Sequence, residues 1–217
     1  MAKVRWHGHA CFEVSSAGVT VVTDPHDGLS LGLPAPKASA DAVLISHDHF
    51  DHANGSRLVS KPDAAVVKGP GVHEVKGVEV KGVASFHDDS GGSKRGPNTI
   101  YVFELDGIRF CHLGDLGHPL TPSQVAEVGK VDVLFVPVGG VFTVDADAAW
   151  RVVEQLKPRL VVPMHFKVPG LKLGIAGVEP FLKGRPNVKR LNASELEVSR
   201  EGLPAETTIV VLTPPRP

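Results

Sequence analysis

The chain has 217 residues, 42% of them hydrophobic and 6% aromatic, with 23 basic and 24 acidic residues and a net charge of -1. That is enough apolar material for one sizeable core, so residues 1–217 read as a single domain. The balanced charge offers no field for a nucleic-acid partner. No apolar run is long enough to span a bilayer, and the opening residues carry no apolar leader segment. Cys11 and Cys111 are the only cysteines and both fall in strand-like stretches. They read as buried free thiols of a reducing, cytoplasmic compartment.

In chain order, Val4 to Val14 reads as one strand and Val19 to Thr23 as the next, joined by a turn at Ser15-Ser16-Ala17-Gly18. Asp24-Pro25 ends the second strand, and a Pro/Gly-rich loop runs from Gly28 to Pro36. Ala42 to Ser46 is a short, almost wholly apolar strand of the kind buried on both faces. A short helix is expected near His52, with Asp51 as its cap. Ala64 to Lys68 and Val78 to Phe86 are further strands, followed by a polar loop over 88–98. Thr99 to Leu105 and Ile108 to His112 form a hairpin turning at Asp106-Gly107.

In the second half, Thr121 to Val128 begins Thr-Pro-Ser and reads as a helix. Val131 to Val136 is a buried strand. Asp145 to Leu156 is a helix with acids at its start, stopped by Lys157-Pro158. Leu160 to Val162 is another short strand, Val188 to Leu191 and Thr208 to Leu212 complete a second sheet, and 213–217 read as a loose tail. Two sheets between helices accommodate this order.

The chemistry concentrates in His47-Asp48-His49-Phe50-Asp51-His52, directly after the apolar strand. Imidazole and carboxylate suit zinc, iron and manganese. His47 and His49, two residues apart on extended chain, point the same way, while Asp51 and His52 follow where the chain turns. Four more polar residues sit where apolar runs stop: Asp24, His87, Asp115 and His165. Loops at one edge of a scaffold are where chemistry is placed.

The order Thr-Asp-Pro, His-x-His-x-Asp-His, a lone His, a Gly-Asp after a strand and a lone His after a strand resembles the metallo-β-lactamase superfamily. His-Leu-Gly-Asp (112 to 115), Phe-Thr-x-Asp (142 to 145) and Pro-Met-His-Phe (163 to 166) are similar to its small stand-alone metal-dependent hydrolases, the group that includes the ascorbate-phosphate lactonase. The resemblance covers the first strand to about His165. It implies an α/β (α+β) fold, a four-layer αβ/βα sandwich, with the site at the sheet edges. It also implies two divalent metal ions, zinc first, with manganese or iron as alternatives. His47, His49 and His87 would hold one ion, Asp51, His52 and His165 the other, and Asp115 would bridge them. Asp24 would stand behind a ligand and orient it through its second ring nitrogen.

The implied activity is hydrolysis of an ester, lactone or phosphodiester in a small or anionic substrate, with Asp51 and Asp115 as the catalytic carboxylates. A metal pair lowers a water pKa from 15.7 to roughly 7, and Asp51 would orient the hydroxide so formed. The alternative on the same fold is an iron redox enzyme or a metal-binding protein without turnover. For the third ligand of the first ion, His73, His112 and His118 compete with His87. His112 reads as half-buried and supporting, His73 as exposed, and His7 and His9 as structural strand residues. His26 has no assigned place. Lys94 and Arg95 stand either as cations for an anionic substrate or as part of a solvated hairpin tip. Thr143 and Asp145 are accounted for by a helix N-terminus.

Overall fold

A computed structural model describes residues 1–214. Its strands are β1 (Ala2–Gly8), β2 (Cys11–Ser16), β3 (Val19–Thr23), β4 (Ala40–Ile45), β5 (Ser60–Lys68), β6 (Gly71–Val75), β7 (Val78–Phe86), β8 (Pro97–Leu105), β9 (Ile108–His112), β10 (Val133–Pro137), β11 (Leu160–Met164), β12 (Val188–Arg190), β13 (Glu195–Val198) and β14 (Thr208–Val211). The helices are α1 (Phe50–Ala53), α2 (Ser56–Val59), α3 (Pro122–Val128), α4 (Ala146–Leu156) and α5 (Glu179–Leu182). A six-stranded sheet runs β13-β1-β2-β3-β4-β5, and an eight-stranded sheet runs β12-β14-β11-β10-β9-β8-β7-β6.

The two sheets pack face to face through aromatic residues. Phe12 of β2 stacks on Phe135 of β10 with centroids 4.2 Å apart, and Tyr101 of β8 donates its hydroxyl to the Ile45 carbonyl of β4 at 2.9 Å. β4 shows why its sequence is apolar apart from Asp41. Ala42 and Leu44 join the core between the sheets, while Ala40, Val43 and Ile45 join a second cluster with Val59 of α2 on the outer face. On the other side, α4 buries Ala149, Val152, Val153 and Leu156, an i, i+3, i+4, i+7 stripe. Asp145 caps it by accepting from Ala148 N at 2.8 Å, and Lys157 ends it in the left-handed region, next to Pro158. The result is the α+β sandwich that the sequence predicts.

Several expectations are corrected. Residues 4–14 are not one strand. The chain turns at His9 and Ala10, so β1 and β2 pair antiparallel. Gly8 and His9 both have positive φ, 98° and 53°, and Trp6 Nε1 donates to the His9 carbonyl at 3.0 Å to hold the turn. Gly8 was the local signal for a break inside an otherwise strand-like run. Asp51 does not cap α1. His49 occupies the cap position without a side-chain bond, and Asp51 lies in the first turn. Strands β6 and β13 and helices α2 and α5 are short and were not anticipated. Thr213 is no tail residue: its N–H donates to the Ala193 carbonyl and its hydroxyl to that of Leu191, both at 2.9 Å. The remainder of the expected tail, 215–217, lies outside the described residues.

β3 and β4 are parallel, as are β9, β10 and β11, and β7 runs with β9 because both are antiparallel to β8. The C-terminal ends of all these strands can therefore meet at one edge.

Candidate metal centre

Each residue that the sequence placed at a strand end reaches the same cage. Asp24 follows β3, His47 lies two residues past β4, His87 follows β7, Asp115 comes shortly after β9, and His165 follows β11. Donor atoms of His47, His49 and His87 lie within 4.8 Å of one another, as do those of His9, Asp51, His52 and His165, and those of His47, His52 and Asp115. His47 Nε2 and His49 Nδ1 are 3.0 Å apart. The Asp115 carboxylate sits between the groups. Its Oδ2 is 3.8 Å from His47 Nε2, 3.3 Å from His87 Nε2 and 3.3 Å from His165 Nε2, and its Oδ1 is 3.1 Å from His52 Nε2.

These spacings can be tested against a cation. Zinc–nitrogen bonds of about 2.0–2.1 Å in a tetrahedral shell put ligand atoms about 3.4 Å apart, close to the distances found. The hydrogen bonding agrees. His52 Nε2, Asp115 Oδ1 and both ring nitrogens of His165 are buried with no hydrogen-bond partner among the described residues. Buried polar atoms are normally paired, because leaving them unpaired is costly, and a divalent cation at the centre would satisfy His52 Nε2, Asp115 Oδ1 and His165 Nε2 together.

The electrostatics favour the ligand forms. Burial, reinforced by the neighbouring His52, pushes His47 down to about 3. Burial and nearby His165 take His9 to about 3, and burial also lowers His87. Burial works against ionising Asp24, Asp51 and Asp115, but the imidazoles around them win. His52 holds Asp24 down, the His9 hydrogen bond and His52 hold Asp51 down, and His165 and His52 hold Asp115 well below the usual carboxylate range. Neutral imidazoles beside ionised carboxylates are the states in which both bind metal. His52 differs: burial lowers it, yet Asp115 and Asp24 together raise it well above the ordinary value.

The surroundings fix orientation. His52 Nδ1 donates to Asp24 Oδ2 at 2.8 Å, which turns Nε2 toward Asp115. Ser46 donates to Asp24 from its backbone N at 2.7 Å and from its hydroxyl at 2.6 Å, and that hydroxyl is 2.9 Å from His47 Nδ1. Asn98 Oδ1 accepts from Asp115 N at 2.9 Å. Gly114 has φ +56°, and a Cβ there would sit 2.4 Å from Asn98 Oδ1, so only glycine lets the Asp115 turn approach this closely. His9, Asp24 and His165 themselves have φ of 53°, 40° and 50°. Non-glycine residues in that region cost on the order of 1–3 kcal/mol each and gather at functional sites.

His112 is fully buried rather than half-buried. Its Nε2 donates to the Ala10 carbonyl at 2.9 Å and its Nδ1 accepts from Gly114 N at 3.2 Å, so neither nitrogen is left to bind a metal. His118 accepts from Phe86 N at 3.2 Å, and His73 lies half-buried on β6; neither joins a donor group. His26, pushed down to about 4 by burial, accepts from Gly28 N at 3.0 Å and braces the loop after β3. His7 faces Glu13 at 3.0 Å.

His9 is the residue that sequence reasoning missed. It is fully buried, its Nε2 donates to Asp51 Oδ2 at 3.0 Å, and its ring lies 4.0 Å from that of His165. Ser46 and Asn98 were missed as well, because nothing in their local sequence marks them. The loop over 88–98 is largely exposed, as a solvated tip would be, but it is tied at its base. The buried Asp88 carboxylate accepts from the backbone N–H groups of Ser90, Gly92, Lys94 and Arg95 at 2.8–3.0 Å. Despite the opposing effect of burial, these bonds hold it at about 2. Lys94 pairs with Asp89 at 2.9 Å.

Residues 3–165 match the family described as the Beta-lactamase superfamily domain. The chain belongs to the metallo-β-lactamase superfamily. A UPF0173 metal-dependent hydrolase of Thermococcus onnurineus is 35% identical, the match covering 76% of this chain and 85% of the relative. The crystal structure of a candidate zinc-dependent hydrolase of the same superfamily from Thermotoga maritima is 41% identical and covers 98% of each chain with a TM-score of 0.82. A diiron β-hydroxylase of Streptomyces venezuelae, 15% identical with a TM-score of 0.59 over 76% of this chain and 44% of its own, shares the fold alone. Within the superfamily, the chain is a UPF0173-type metal-dependent hydrolase. No helix among the described residues is long and apolar enough to cross a membrane.

Proposed function

We propose that this hydrolase holds two divalent cations, zinc first with manganese or iron as alternatives, and cleaves an ester, lactone or phosphodiester of a small substrate in the cytoplasm. The observation that carries the reading is Asp115, whose two oxygens lie within 3.1–3.8 Å of nitrogens drawn from both His-rich groups. His47, His49 and His87 would hold one ion and Asp51, His52 and His165 the other, with Asp115 between them. When bound, such a pair lowers a water pKa from 15.7 toward roughly 7 and stabilises charge that builds on the attacked group.

The chain's own groups do the positioning. Asp51, ionised and held by His9, orients the attacking water and accepts its hydrogen bond. Asp24 keeps His52 in one tautomer, and Ser46 ties that carboxylate to His47. A cavity of about 340 Å³, lined by His49, Asp51, His87 and Asp115 together with Phe50 and Phe142, suits a small molecule. The net charge of -1 fits neither a nucleic-acid nor a membrane partner, and a single domain suffices for this chemistry.

Elemental analysis joined to an assay on bis(p-nitrophenyl) phosphate and a simple lactone tests the reading. Two zinc or manganese ions per chain, with turnover lost in Asp51→Ala, are the expected result. One iron per chain with a visible absorption band and no hydrolysis would overturn it.

A further inference from the structure

Arg95 lies at the junction of two cavities. One, of about 510 Å³, is lined by His47, His49 and Lys68 as well as Arg95. The other, of about 340 Å³, opens over His49, His87 and Asp115. The other cations here are already neutralised, Lys68 by Asp48 and Lys94 by Asp89. The Arg95 guanidinium makes no ion pair among the described residues and rests over the Phe142 ring, 5.4 Å from its centroid. Its backbone is not free to wander, because the buried Asp88 carboxylate accepts from Arg95 N at 2.8 Å. Phe142 and Phe50 are 36% and 47% exposed, large apolar faces beside the same opening.

We propose that Arg95 and Phe142 form a recognition clamp for a substrate that carries an oxyanion, carboxylate or phosphate, next to a flat apolar group. This rests on the hydrolase reading only in that the cage supplies the cavity floor. A planar guanidinium offers paired N–H donors matched to a two-oxygen anion. Phe142 restricts the guanidinium by a cation–π contact, which reduces the ordering cost on binding. Asp88 anchors the loop through its backbone, so that the Arg95 side chain starts from a fixed point at the rim of the cavity that His87 also lines.

Calorimetric titration of the zinc-loaded protein with phenylphosphonate and with inorganic phosphate tests the clamp, zinc content being checked for each variant. Arg95→Gln should weaken both anions tenfold or more at unchanged zinc content. Arg95→Lys should restore only part of the loss, since a point charge replaces a fork. Phe142→Ala should weaken phenylphosphonate more than phosphate. Equal affinities for wild type and Arg95→Gln, or no binding to wild type, would overturn the proposal, and equal losses of both anions in Phe142→Ala would remove its apolar half. Arg95-dependent binding by a protein that cleaves none of the test substrates would leave the clamp standing and count instead against the ester, lactone or phosphodiester reading.

Discussion

His9 Nε2 and Asp51 Oδ2 lie 3.0 Å apart, although 42 residues separate them in the chain. The turn between β1 and β2 delivers His9 to the cage, and the His9 carbonyl accepts from His165 N at 3.2 Å on the same turn. One residue therefore braces two of the side chains assigned to the second ion.

That relationship predicts the behaviour of His9 variants. Groups that orient ligands from behind typically cost roughly 10–100-fold in metal affinity or activity when removed. His9→Ala should lose affinity for one of two ions by about that factor while the other stays bound. His9→Gln, whose amide can still donate to Asp51, should recover part of it. Metal titration followed by elemental analysis reads this directly, and wild-type metal content and affinity in His9→Ala would refute the assignment.

The third ligand of the first ion separates two buried histidines. His87 Nε2 faces Asp115, whereas both nitrogens of His112 are engaged by backbone. His87→Ala should bind one ion fewer per chain. His112→Ala should keep both ions and lose stability instead, by about 1–3 kcal/mol for the stranded Ala10 carbonyl and the vacated volume. Metal counts with chemical denaturation on the two variants check the pair; the reverse pattern would exchange their roles.

Asp41 gives a prediction far from the cage. Its buried carboxylate accepts from Thr20 N at 2.9 Å, Lys61 Nζ at 2.8 Å and Lys76 Nζ at 2.6 Å. Burial alone would raise it, but the lysines and the Thr20 N–H bring it to about 2. The folded value lies below an unfolded one of about 3.9. Its contribution is therefore complete above the unfolded value and fades as pH falls through the folded one. With screening at the part-exposed lysines, Asp41→Asn should cost about 1–2 kcal/mol at neutral pH. Urea unfolding of wild type and variant should show that gap closing between about pH 4 and about pH 2; a gap that widens on acidification would contradict the ion-pair account.

Much of the scaffold was legible because it depends on neighbours in sequence. The apolar run Ala42 to Ile45 does form a strand covered on both faces, and the 3.6-residue stripe after Asp145 is a capped helix. Where a local cue was outweighed, the reading failed. Gly8 inside a β-rich stretch marked the turn at His9, and the run of strand formers on either side concealed it. The sequence left Lys94 and Arg95 open between a substrate cation and a solvated tip, because the bonds of Asp88 to four backbone N–H groups form only once the loop has folded around it.

The sequence by itself determined most of the longer strands, helices α3 and α4 and the donor types, since periodicity, caps and the His-x-His-x-Asp-His spacing act over a few residues. Tertiary structure alone decided that Asp115 stands between both histidine groups, that His9 reaches Asp51, and that His112 is tied to backbone. Those outcomes depend on how two sheets meet at one edge, a long-range packing result that no short window of sequence contains.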